Sequence, residues 1–488
     1  MVYTDLRQWL KHLDATGRLA VAKEGISLEH RLAAVAKALD GEQATLFPKA
    51  GGMDIPVVSG FISNRAWIAE AMGVPQPELL QHFLEAAARP IPWREVPSGR
   101  APCQEVVFRG RELGDLRAHL PIPIHSEHDS GPYLTGAIVV AKNPSTGVQN
   151  VSMHRIQVTS PDRLGICMLP RHLWHFFREA EARGEALEVA IVIGLDPLTL
   201  LASQAIAPLD VDEFHIAGAL HGKPLEMVKC LSSEIRVPAA SEIVIEGRIL
   251  PGVREKEGPF GEFPRYYSSS EQREVIAVDC LTHRKSPIYH TIVPAEREHL
   301  LLGAVAREAT LLAHLQRSFP NVLDVHLSLG GVGRYHLFIK LRKTHEGQPR
   351  NVMCAAMGAH YDIKHVVVLD EDVDIHDPSQ VEWAIATRFQ ADRDLIVVPG
   401  TQGSLLDPST TKRAGGGQEP PHTAGTSAKM GLDATRPLVY DEHIFTKVTI
   451  PGEDEIDLGQ ELLANARVEW SEALGVRVSQ SANGRELR

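Results

Sequence analysis

Leu134-Thr-Gly-Ala-Ile-Val-Val-Ala141, Glu188-Val-Ala-Ile-Val-Ile-Gly194, Glu242-Ile-Val-Ile-Glu-Gly-Arg-Ile249 and Glu274-Val-Ile-Ala-Val-Asp-Cys280 decide how this chain is read. They are short, β-branched runs, joined by Ile156–Val158 and Ile288–Ile292, and Gly, Pro, Asp and Ser separate them. Many short strands closed by turn signals predict a barrel or sandwich over about 120–310. A helix over Leu173–Arg183 is inserted among them, and a helix near 304–318 leads out.

Outward from this centre the pattern changes on both sides. Leu6, Trp9, Leu10 and Leu13 fall at helical spacing, with Gly17 as the stop. A second helix is expected over about 28–40, an apolar run at Ile55–Val58 and a third helix near Pro77–Ala88. Beyond the centre, His365–Leu369, Ser379–Arg388 and Leu395–Val398 read as strand, helix and strand, a β-α-β unit. Residues 400–428 are rich in Gly, Ser, Thr and Pro and are expected to form a mobile loop. A final amphipathic helix is expected over about 457–474. The fold class is therefore mixed α/β. The expected layout is an N-terminal α/β region (1–115), a central split β-barrel (116–305), a linking helix (306–320), a C-terminal α/β domain (321–450) and a terminal helix with its tail (451–488).

Composition narrows the function. A chain of 488 residues with 43% apolar residues holds two or three domains. The net charge of -12 repels phosphates and argues against a nucleic-acid partner. No signal peptide is legible and no apolar run reaches the roughly 20 residues of a membrane span. The five scattered cysteines form no C-x-x-C pair, as expected in a reducing, cytoplasmic compartment.

Three stretches carry chemistry. Glu257-Gly-Pro-Phe-Gly-Glu262 sets two carboxylates around a turn, so both can face one cavity; alternatively it is a surface turn with two solvated acids. Asn150-Val-Ser-Met-His-Arg155 ends in an arginine at a strand start, placed to fork onto a carboxylate or to be solvated in a hairpin. Asn150, His172 and Glu226 offer an amide oxygen, an imidazole and a carboxylate, a set that suits Mn²⁺ or Mg²⁺ better than structural zinc, although each also reads as an ordinary core or surface residue. Gly331-Val-Gly333 lacks the third glycine of a dinucleotide loop. The acid run Asp370, Glu371, Asp372, Asp374 misses the calcium-loop pattern and reads as a solvated strand end.

Taken in order, these pieces resemble the UbiD family of reversible decarboxylases over nearly the whole chain. The likeness runs from Thr4-Asp-Leu-Arg-Gln-Trp-Leu10 and Ala101-Pro-Cys-Gln104 through Asn150–Arg155, Leu169–Trp174, Ala202-Ser203, Ala217-Gly-Ala219 and Glu226-Met-Val-Lys229. It continues through Val237-Pro-Ala239, Glu242–Gly247 and Glu257–Glu262, and ends with Val368–Asp374, Trp383–Arg388 and Lys429–Thr435. The resemblance implies prenylated FMN, Mn²⁺ and K⁺. It implies Asn150, His172 and Glu226 on Mn²⁺, and Ala202, Ser203, Ala205 and Glu226 on K⁺. Met153, His154, Arg155, Cys167, Met168, Leu169, Arg171, His172, Glu226 and Lys429 would bind the cofactor. Ser203-Gln-Ala-Ile206 departs from the Ser-Ser-Met-Pro form of some members, which weakens the K⁺ transfer.

By the same resemblance Arg155 steers the leaving carboxylate, Glu257 holds Arg155 and Glu262 protonates the carbon. Such chemistry needs an electron sink that side chains do not provide. The prenylated flavin supplies it through a covalent adduct, and a flavin prenyltransferase supplies the cofactor. The family forms homodimers and larger homo-oligomers. His299 and Arg307, two turns apart on the helix after Ile288–Ile292, suggest a clamp for a second carboxylate, and hence furan-2,5-dicarboxylate going to 2-furoate. A phenolic acid of the 4-hydroxybenzoate or protocatechuate type is the alternative, with Arg307 then a surface residue. Two further readings are a metal-dependent hydrolase with Asn150, His172 and Glu226 as ligands and Glu262 as base, and a family-derived assembly or chaperone-like protein, which predicts loss of the Glu-Arg-Glu set that is present here.

Overall fold

The computed structural model describes residues 3–410, 425–440, 442–448 and 450–452, with the backbone of 466–470 and 476–480. It divides into two units, Met1–Thr435 and Arg436–Arg488.

In the first unit, the helix Leu6–Ala15 forms where the apolar spacing placed it, capped by the Asp5 carboxylate on the Gln8 amide and burying Leu6, Trp9, Leu10 and Leu13. Helices Arg31–Ala38 and Leu79–Ala88 match the other two N-terminal expectations. Strands Leu19–Val21, Ala44–Phe47, Val57–Ser59 and Tyr289–His290 form a four-stranded sheet.

The central sheet has nine strands. Its main path runs Tyr133–Leu134, Ile156–Ser160, Arg163–Ile166, Glu271–His283, Ile243–Glu257, Leu187–Ile193, Ala137–Lys142, Gln149–Met153, with Val106–Arg109 pairing on Glu271–His283. The last strand of this path, Gln149–Met153, is joined to the second, Ile156–Ser160, by His154 and Arg155 alone. At ~4.8 Å per strand a flat sheet would hold its second and eighth strands ~29 Å apart. Two linking residues reach only ~11 Å. The sheet must therefore curl until its edges meet, and Arg155 sits at that seam.

The long hairpin of Ile243–Glu257 and Glu271–His283 ends in the Gly258–Glu262 turn, so Glu257 is the last residue of a strand. The helix Arg297–Gln316 then leads to the next sheet. It begins seven residues before the expected start near 304 and is buried nearly all round, which removes the polar face that would mark its beginning. It packs on Leu79–Ala88 and on Val322–Leu327.

The five-stranded sheet has the order Val322–Leu327, His336–Leu341, His365–Asp370, Thr426–Ala434, Leu395–Gln402. Here the expected β-α-β unit is corrected. Thr426–Ala434 lies between His365–Asp370 and Leu395–Gln402 and is parallel to the first but antiparallel to the second. The parallel crossover is instead His336–Leu341 to His365–Asp370 through the helix Gln348–Ala359. The two ends of the expected 400–428 loop are strand, and 411–424 lie outside the described residues. The acid run is not simply solvated: Asp370 and Asp372 hold Arg388 at 2.7 and 2.8 Å.

The second unit contains the short helix Glu442–Phe445 and an antiparallel pair, Ala466–Trp470 with Val476–Gln480. The expected terminal helix over 457–474 is thereby corrected over 466–470, where alternating apolar residues in Ala-Arg-Val-Glu-Trp fit a strand as well as a helix; residues 457–465 lie outside the described ones. Among the described residues no helix is long and apolar enough to cross a membrane.

Candidate active site

The seam and the hairpin turn bring Arg155, Glu257 and Glu262 together. Arg155 donates from Nε and Nη2 to the two oxygens of Glu257 at 3.0 and 2.7 Å, and from Nη1 to Glu262. Glu257 is fully buried, and it also accepts from the Tyr133 hydroxyl at 3.1 Å. Burial works to lower the Arg155 guanidinium, but neighbouring Cys167 and the two carboxylates bonded to the group, Glu262 and Glu257, outweigh this and hold the guanidinium above its ordinary value. Phe260 lies under Arg155, 5.7 Å from ring centre to guanidinium carbon. Gly258 is required at its place: its φ is 84°, and a Cβ there would meet the Ser269 carbonyl at 2.7 Å. The surface-turn alternative for Glu257–Glu262 therefore fails.

Around this set lies the expected cofactor wall. His154 Nδ1 faces the Cys167 carbonyl at 3.2 Å, and its Nε2 faces Ser152 Oγ at 2.9 Å. Burial pulls the His154 imidazole down to about 4, opposed by the Cys167 carbonyl and aided by Arg171, so it is neutral. Met168 is buried, Leu169 is exposed, and Arg171 sits just before the helix His172–Ala182. Met153 packs on the core. Lys429 is buried and donates to the carbonyls of Met357 and His360 at 2.7 and 3.1 Å.

Asn150 and His172 are brought together, with Asn150 Nδ2 3.3 Å from His172 Nδ1. Glu226 does not join them. Its half-exposed carboxylate accepts from Arg94 at 2.6 Å, and no hydrogen bond or ion pair links it to either residue. The acid at that place is Glu213, at the start of the helix Glu213–Leu220. It accepts from Asn150 Nδ2 at 2.8 Å and from the Val151 amide at 2.7 Å. Burial pushes Glu213 up to about 8, with Asp212 adding to it, the condition a bound cation relieves. Glu213 lies thirteen residues before the expected Glu226: Asp212-Glu213 before an apolar run is a legible helix start, but nothing in the sequence says that it faces Asn150. Ala202 and Ser203 close the short helix Pro197–Ala202, where the Ser203 hydroxyl donates to the Leu200 carbonyl at 2.7 Å and the Ala205 amide donates to the Ala202 carbonyl at 3.0 Å.

A second charged cluster, reached through Phe263, surrounds the Arg297–Gln316 helix. Arg307 is buried, yet its Nε and Nη1 have no hydrogen-bond partner, and Nη1 stands 3.6 Å from Asp362. Burial and Arg334 pull its guanidinium down to about 9, so it stays cationic at neutral pH. His299 accepts the Ala295 amide on Nδ1 at 3.1 Å, and burial, then Arg334, holds the ring down to about 3. A neutral ring accepting on Nδ1 carries its proton on Nε2 as a free donor. Arg334 lies over the Phe263 ring at 5.2 Å. Thus Glu262 meets Arg155 while its neighbour Phe263 supports Arg334. Arg334 follows Gly331-Val-Gly333, a stretch that completes no motif, so motif reading does not single it out. The signal was Gly303 within a helix: any Cβ there would collide with the Arg334 guanidinium.

The chain matches, in order, the N-terminal domain (10–87), the Rift-related domain (94–297) and the C-terminal domain (300–434) of 3-octaprenyl-4-hydroxybenzoate carboxy-lyase. It is 40% identical over 395 residues to anhydromevalonate phosphate decarboxylase of Methanothermobacter thermautotrophicus, covering 80% of this chain and 87% of that protein. It is similar to the UbiD-class enzyme HmfF from Pelotomaculum thermopropionicum in complex with FMN, with 48% identity, a TM-score of 0.90, and 94% and 100% of the two chains covered. An evolved dimeric form of HmfF in complex with prFMN gives 45% identity and a TM-score of 0.85, over 94% and 100%. The apo 3,4-dihydroxybenzoic acid decarboxylase from Enterobacter cloacae gives 28% identity and a TM-score of 0.86, over 94% and 99%. The class is that of a carboxy-lyase dependent on prenylated FMN, acting on a small molecule. The chain belongs to the UbiD family. The hydrolase reading falls with that membership, and the assembly-protein reading has no support, since the Glu-Arg-Glu set is intact.

Proposed function

We propose that the protein decarboxylates an unsaturated acid that carries a second anionic group, with furan-2,5-dicarboxylate going to 2-furoate as the candidate reaction. The observation that carries this is Arg307, a buried cation whose Nε and Nη1 lack partners, beside Arg334 and the free Nε2–H of His299. Buried donors without partners are costly, and an anionic ligand relieves that cost. A phenolic monoacid leaves them unpaired.

Prenylated FMN, when bound, supplies the electron sink for the pair released as the C–COO⁻ bond breaks. Arg155 orients the departing carboxylate, and Glu257, itself held by the Tyr133 hydroxyl, fixes Arg155. Glu262 delivers a proton to the ring carbon after CO₂ has left. The FMN phosphate would be held through a divalent ion on Asn150, His172 and Glu213, and Mn²⁺ suits this oxygen and nitrogen set. K⁺ would lie on carbonyls near Ala202, Ser203 and Ala205. A flavin prenyltransferase would supply the cofactor to a cytoplasmic homodimer or larger assembly.

A second reading has a phosphate as the far group, as in the substrate named for the archaeal relative. A panel of furan-2,5-dicarboxylate, 2-furoate, 3,4-dihydroxybenzoate and a phosphorylated unsaturated acid, run with wild type and Arg307→Ala, tests both. The diacid should be turned over by wild type and lose at least about 10²-fold in kcat/KM in the variant, the range for an unpaired charged contact. Equal turnover by both proteins refutes the clamp.

A further inference from the structure

We propose that Asp362 limits the charge tolerated in the Arg307 pocket, reducing the advantage that its cations give a doubly charged phosphate or phosphonate over a singly charged carboxylate as the far group of the ligand. This rests on the reading of that pocket as an anion site. Asp362 is 6% exposed and follows the helix Gln348–Ala359. Its backbone amide donates to His360 Nδ1 at 3.2 Å, which fixes the turn. Its carboxylate lies 3.6 Å from Arg307 Nη1 and 3.8 Å from His360 Nδ1.

Both distances are too long for a strong hydrogen bond. Asp362 therefore offsets the pocket's positive charge without consuming the free donors of Arg307. Its field also acts on Arg334 and Lys429, and Arg171 adds to the cations felt by Arg307. A ligand anion seated on Arg307 lies beside the Asp362 carboxylate. The repulsion scales with the ligand's charge, so a dianion suffers twice what a monoanion does. Removing the Asp362 charge thus helps the dianion more.

The test uses holoenzyme carrying prenylated FMN, with KM or Ki measured for furan-2,5-dicarboxylate and for 5-phosphono-2-furoate. Asp362→Asn and Asp362→Ser should each shift the ratio of the two affinities toward the phosphonate by at least about tenfold, while Asp362→Glu keeps the wild-type ratio. General damage lowers both affinities and leaves their ratio alone. An unchanged ratio in a folded neutral variant overturns the proposal. Arg307→Ala separates the two failures. If it binds both ligands as well as wild type, the anion-site reading itself is wrong. If it weakens both while the neutral variants leave the ratio unchanged, only the role of Asp362 is refuted.

Discussion

Replacing Glu257 by Gln keeps shape and removes a charge from the centre of the site. Glu257 is fully buried and takes two charge-assisted bonds from Arg155 at 3.0 and 2.7 Å. Breaking one partner out of a buried pair costs ~3–5 kcal/mol, and the remaining bond from Arg155 to Glu262 places this case near the lower end, ~3 kcal/mol. Two effects follow. With ~2 cal/mol/K of unfolding entropy per residue, a unit spanning Met1–Thr435 loses ~3 °C in Tm. Arg155, no longer held on Glu257, turns toward Glu262, and a ~3 kcal/mol loss of its working orientation lowers turnover by about 10²-fold. Thermal melts and steady-state decarboxylation, on samples with matched flavin absorbance, measure both. Glu262→Gln serves as the control: it should lose about 10²–10⁴-fold in turnover as a missing proton donor, with flavin still bound. Turnover by Glu257→Gln within threefold of wild type at full flavin loading refutes the positioning role.

Metal analysis should separate the two candidate acids: Glu213→Gln is expected to lose bound manganese and with it flavin, while Glu226→Ala keeps both, and the opposite pattern restores the sequence-based assignment. Stability should fall on acidification through His125, which faces Thr291 Oγ1 at 2.7 Å and which burial pulls from 6.5 down to about 3. The unfolded imidazole takes a proton below about 6.5 while the folded one does not, so this contribution is whole above that pH and is lost as pH falls toward 3, at up to ~1.4 kcal/mol per pH unit. Melts of wild type and His125→Gln between pH 7.5 and 5 should show a shallower decline in the variant; parallel curves contradict it.

Much of the element pattern, and Arg155, Glu257 and Glu262 as a candidate set, were legible in the sequence. Apolar spacing at Leu6, Trp9, Leu10 and Leu13, β-branched runs such as Ile243–Ile245, and the two acids flanking Gly-Pro-Phe-Gly are local patterns, and local patterns survive without coordinates. Residues whose meaning depends on a distant neighbour were not legible. Glu213 and Glu226 look alike in sequence, and only the packing of the Glu213–Leu220 helix on the Gln149–Met153 strand sets one of them against Asn150. Arg334 and Asp362 sit in stretches without a motif, and their charge gains significance from the buried face of the Arg297–Gln316 helix, where water cannot screen it. The strand order of the C-terminal sheet was likewise hidden, because Thr426–Ala434 enters it from the far side of a long connection. Periodicity records which face of an element is buried; which element covers that face is decided by closure of the whole chain.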